Sequence, residues 1–114
     1  MHLEKIHQQI DQDIQLLESG EKEVMPFQVC NRLADYTTEL IIQEEVGELK
    51  KCLKRLAGLY KKSKSNVMRV AIENGFIYSL GTKIMLCSKR RKMLNQFPQI
   101  FRNMITGQAT AASI

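Results

Sequence analysis

Apolar residues recur every three or four positions along most of this chain, and that spacing predicts helices throughout. Leu3, Ile6, Ile10, Ile14 and Leu17 form one narrow stripe on an otherwise polar segment, and Gly20 is placed to cap its C-terminus. Glu21 to Met25 then reads as a short charged link, and Pro26 suits the first turn of a second helix. That helix carries Phe27, Cys30, Leu33, Ala34, Leu40 and Ile41 as its apolar positions. Gln43 to Gly47 contains no strong stop, so the pattern allows it to continue into the next helix. There Val46, Leu49, Leu53, Leu56 and Tyr60 face one way, and Lys50, Lys51, Lys54 and Arg55 the other.

Lys61 to Asn66 is polar and charged, and it ends in good N-cap residues, which marks a linker. From Val67 to Leu86 the chain is apolar on more than one side, as expected of a central, buried helix over about residues 66–87. Ser88 starts a basic turn. Met93, Leu94, Phe97, Ile100, Phe101, Met104 and Ile105 belong to a last helix interrupted at Pro98. Thr106 to Ile114 is small and polar and is expected to form a loose tail. No alternating run of β-branched residues predicts a strand. The expected fold is all-α: one domain over residues 1–105, a bundle of four to six helices around the central one.

Composition changes little in that picture. At 114 residues, 44% apolar and 25% charged, the chain has the makeup of a soluble globular domain. No stretch approaches the roughly 18 consecutive apolar residues of a membrane span. The N-terminus is polar from His2 onward and lacks a secretory core, so a cytoplasmic location is expected. Cys30, Cys52 and Cys87 are odd in number, widely spaced and set among apolar neighbours. They are expected to be reduced thiols serving as small core residues.

Charge adds more. Residues 1–48 hold 11 of the 12 acids and three bases, while residues 49–114 hold 14 bases and a single acid, Glu73. Opposite fields of this kind attract across a fold or across a dimer. The strings Lys61, Lys62, Lys64 and Lys89, Arg90, Arg91, Lys92 offer basic surface. No aromatic is interleaved with them and no reader motif accompanies them, so nucleic acid is a disfavoured partner, left open only if both strings share one face.

Candidate chemistry is sparse. Glu44, Glu45 and Glu48 cluster as Mg²⁺ ligands do. The string Glu44-Glu45-Val46-Gly47-Glu48 resembles the first metal motif of the MazG-like all-α nucleotide pyrophosphatases, which implies a divalent-metal nucleotide hydrolase. The second motif of that family requires Glu and Asp three residues apart on a later helix. Here Glu73 is followed three positions on by Phe76, so only Glu73 remains to complete the set. His2 and His7 are poorly spaced for a metal, and no phosphate loop or nucleophile motif occurs.

Glu73 lies in the most apolar helix, where a carboxylate needs a partner. The expectation is a salt bridge to a base, Arg69 or Lys83 or one on a neighbouring helix, or simple solvent exposure at one edge. The segment Ile72-Glu73-Asn74-Gly75-Phe76-Ile77-Tyr78-Ser79-Leu80 follows Leu59-Tyr60 and precedes Phe97-Pro98. It resembles a family of small all-helical bacterial proteins of unknown function, over residues 50–105. The resemblance implies an all-α fold and a shared ligand or structural role for Glu73, Asn74 and Tyr78.

The expectation is a non-enzymatic helical module that binds another protein or a second copy of itself, as an antiparallel homodimer. It needs no cofactor; Mg²⁺ enters only under the hydrolase alternative.

Overall fold

Leu3, Ile6, Ile10, Ile14 and Leu17 lie on the inner face of helix α1 (Leu3–Ser19), the last four of them buried. Gly20, at φ +66°, ends it as the sequence predicts. A computed structural model of the chain describes residues 3–21 and 23–113, with side-chain surroundings through residue 107. Helix α2 (Pro26–Ile42) starts on the proline, and α3 (Val46–Lys62) follows. The Ser65 hydroxyl then accepts from the Met68 N–H at 3.3 Å and caps α4 (Asn66–Val70). Helical backbone continues through a π segment (Ala71–Ile77) into α5 (Tyr78–Met85). Short α6 (Ser88–Arg91) and a 3-10 turn (Lys92–Gln96) lead to Pro98 and α7 (Gln99–Ser113). Among the described residues there is no strand, and the fold is all-α.

Helix α2 packs against α1, α3, α4, the π segment and α5. The buried part of the 66–87 region runs from Ala71 to Ile84, and the first turn of that region, α4, has no buried residue. One core unites Ile6, Ile14, Leu33, Leu40, Leu53, Leu56, Ile72, Phe76 and Phe101. The α1 stripe therefore packs on this chain's own core. The radius of gyration, 13.4 Å, is what one domain of this length gives.

One expectation about an element end is corrected. The α2 helix does not run into α3: the Glu44 N–H donates to Ile41 O (3.1 Å) and the Glu45 N–H to Leu40 O (2.9 Å). With Glu44 at φ +56° this is a Schellman C-cap, built on a residue other than the usual glycine. At the other end, helical backbone continues through Ser113, across the stretch expected as a tail.

The expected apolar face of α2 also needs one change, because Phe27 is half exposed. Gly75 of the π segment packs against this end of α2. A Cβ there would lie 3.1 Å from Cys30 Cβ and 3.2 Å from Phe27 O, so the π segment approaches α2 more closely than a side chain allows.

Candidate functional site

Glu73 sits on the π segment, whose wide turn is closed by the Tyr78 N–H donating to Glu73 O. Its carboxylate is half-buried and accepts a hydrogen bond from the Tyr60 hydroxyl at the end of α3. The partner is a phenol, where the sequence pointed to a base. Lys83 donates instead to Asp35 (2.6 Å), and the Arg69 guanidinium lies 5.5 Å from the centre of the Tyr60 ring. Tyr60 packs edge-on to Phe101 at 6.5 Å, and Phe101 against Phe76 at 6.3 Å, which ties α3, α7 and the π segment together. The hydrogen bond to Glu73, helped by burial and the Glu73 charge, raises the Tyr60 hydroxyl above its ordinary pKa; Arg69 opposes this. Asn74 and Tyr78 are exposed, so the three residues expected to share a site are split between an inward carboxylate and an outer surface.

The four carboxylates of the metal alternative do not converge on one site. Glu44 lies in the α2–α3 turn, in a hollow of about 380 Å³ with Cys87, Lys89 and Arg90. Glu45 is the N-cap residue of α3. Glu48, one turn into α3, lines a cleft of about 330 Å³ against α1 with His7, Asp11, Lys51 and Arg55. Glu73 meets the opposite end of α3, and the 12 positions from Glu48 to Tyr60 span roughly 18 Å of helix. Among the described residues no group of three or more His, Cys, Asp or Glu side chains is placed to hold a metal ion; His2 lies outside them. In the α1–α3 cleft Arg55 is already held by Asp11 (2.6 Å) and Glu18 (2.9 Å). His7 Nε2 is buried there and has no hydrogen-bond partner among the described residues.

The basic strings lie near opposite ends of α3. Lys61 and Lys62 end α3, whereas Lys89 and Arg90 adjoin the turn that precedes it, beside Glu44. Arg91 and Lys92 are exposed on the same short segment as Lys89 and Arg90. The three cysteines are free thiols. Burial pushes Cys30 and Cys52 up to about 12. Cys87 departs from the expected core role: it is half-buried, and the backbone N–H groups of Arg90 and Lys89 lower its pKa.

Sequence reasoning missed two features. Asp13 is buried and accepts from Arg32 Nη2 (3.0 Å) and Nε (3.3 Å). Its spacing, three after Ile10 and four before Leu17, carried that signal. The second is a surface. Val24, Met25, Pro26 and Phe27 at the head of α2 face Val67, Val70 and Ala71 across a groove of about 660 Å³. Met25 is 60% exposed, Phe27 50%, Val67 68% and Val70 47%. Four large apolar side chains this exposed and this close together form a patch, unlike the single exposed leucine that any surface tolerates.

A small all-α bundle with a split polar site and an open apolar groove is the class of protein these observations define. The chain belongs to the family described as a domain of unknown function, DUF7674, whose model matches residues 2–109. No curated protein and no solved structure matches it.

Proposed function

We propose that this protein is an interaction module of the cytoplasm that binds another polypeptide through the groove between the head of α2 and α4. The observation that carries this reading is the cluster of Met25, Phe27, Val67 and Val70, held 47–68% exposed on a bundle with a continuous buried core. A fold that buries Ile6, Leu33, Leu56 and Phe76 to 1% exposure or less has no need to leave these four outside. Covering them would contribute about 25 cal/mol per Å² of apolar surface removed from water. The free thiols fit a reducing compartment, and no described helix is long and apolar enough to cross a membrane.

A photo-crosslinking amino acid at position 67, in cells of the source organism, tests the proposal. The expected result is a discrete covalent adduct with a polypeptide. The same probe at exposed Lys50, on α3, is expected to give none. Equal or absent labelling at both positions would refute the groove as a binding surface.

A further inference from the structure

Four buried side chains follow one another at intervals of four: Ile72, Phe76, Leu80 and Ile84, each 0–1% exposed. A plain α-helix does not hold that spacing on one face. Each step of four overshoots a full turn by about 40°, so Ile72 would stand about 120° from Ile84. The wide turns of the π segment absorb the surplus and keep all four on the core.

The same turns swing α4. In a plain helix run back from α5, Glu73 would lie within about 20° of Ile84 and Val70 within about 40°, both towards the core, while Ala71 and Ile72 would turn away from it. The π form does the reverse. Ala71 and Ile72 are buried, Val70 is 47% exposed, and Glu73 is half-buried with the Tyr60 hydroxyl donating to it. The groove wall of Val67 and Val70 therefore exists because the backbone widens beside it.

We infer that Glu73 is a positioning residue for the groove: its hydrogen bond with Tyr60 holds the π form, and the π form faces Val67 and Val70 outward. The phase of α4 stands by itself; its bearing on binding rests on the interaction reading above. A plain helix would aim the Glu73 carboxylate at the apolar core, which is costly. Gly75 supports the same form, since its close approach to Phe27 O and Cys30 Cβ is made from the π segment. Without the carboxylate the plain phase competes, Val70 is drawn inward, and the wall is lost.

Thiol labelling reads the phase of the helix. A Cys87→Ser background leaves the buried Cys30 and Cys52, and one new cysteine is placed at Val70 or at Ala71. With Glu73 present, Val70→Cys is expected to react with a maleimide tenfold or more faster than Ala71→Cys, following exposures of 47% and 3%. Adding Glu73→Leu is expected to reverse the order, because the core accepts leucine. Glu73→Gln is expected to keep the original order, since its amide oxygen still accepts from Tyr60. Slowing at position 70 is the decisive readout, because general loosening of the fold speeds labelling. If Glu73→Leu does not melt cooperatively, Glu73→Ala, which adds no bulk, replaces it with the same expected direction.

An unchanged order in the Glu73→Leu protein overturns the inference, and so does fast labelling at both positions. The position-67 crosslinking probe separates this from failure of the interaction reading. Its adduct is expected to vanish with Glu73→Leu and to persist with Glu73→Gln. A reversed labelling order, in a protein whose wild-type form gives no adduct, removes the interaction reading and leaves the phase assignment. An unchanged order beside a strong wild-type adduct removes the phase assignment alone.

Discussion

Tyr60 and Glu73 illustrate how one residue's chemistry is set by its neighbours. Glu73 lies in an apolar stretch of sequence, yet the π segment turns its carboxylate to the edge of the core, where a phenol from α3 donates to it. Replacing Tyr60 by Phe keeps the ring packing on Phe101 and removes the donor. A hydrogen bond to a charged group contributes about 1.5–3 kcal/mol when buried. For this half-buried pair the expected loss is about 1 kcal/mol. The loss should depend on pH. Because the folded pKa of Tyr60 is raised, the protonated phenol is the form the fold favours. Its contribution is complete below the unfolded value of about 10 and disappears as pH rises through the folded value. Urea unfolding from neutral pH to above pH 10 should therefore show the wild type and Tyr60→Phe converging at the alkaline end. A difference that stays constant across that range would mean the hydroxyl proton plays no part.

At the scale of elements, the α2–α3 turn is the place where local preference and observed backbone disagree. Glu44 occupies the left-handed C′ position that glycine usually takes. An L-residue there costs about 1–2 kcal/mol, and an acid beside a helix C-terminus adds a small unfavourable dipole interaction. Glu44→Gly relieves both, and the greater freedom of glycine in the unfolded chain offsets part of the gain. A net stabilisation of about 0.5–1 kcal/mol is expected in chemical denaturation. A destabilised variant would show that Glu44 makes a favourable contact with the bases near it, Lys89 and Arg90. The π segment is the opposite case. Gly75 sits against Phe27 O and Cys30 Cβ, where the close approach requires its missing side chain.

Over the whole molecule, the segregated charge of the sequence resolves into contacts between the two halves. Arg55 on α3 reaches Asp11 and Glu18 on α1, and Lys83 on α5 reaches Asp35 on α2. Such pairs lie near the surface and contribute about 0–1 kcal/mol each. Arg55→Met should cost about 1 kcal/mol at low salt, and much less near 1 M salt, where the screening length falls to about 3 Å. The same cost at both ionic strengths would assign it to lost packing of the Arg55 stem, not to charge.

Much of this architecture was legible in the residues. Periodicity located the helices because an apolar stripe has to face a core wherever the chain folds. Gly20, Pro26, the 61–66 link and Pro98 marked ends because their backbone preferences are local. The all-α fold and the likeness around Ile72–Leu80 follow from the residues alone. The site was less legible, and the reason is physical. Helical spacing says which residues share a face, but not what stands opposite. Only packing decided that Glu73 meets Tyr60 and no base, and that Glu44, Glu48 and Glu73 lie apart. It also decided that Asp13 is buried against Arg32. The groove is the clearest instance. Val67, Val70 and Phe27 read as core by pattern, and they are outside because α4 and the head of α2 lie at the edge of the bundle, where no element among the described residues covers them.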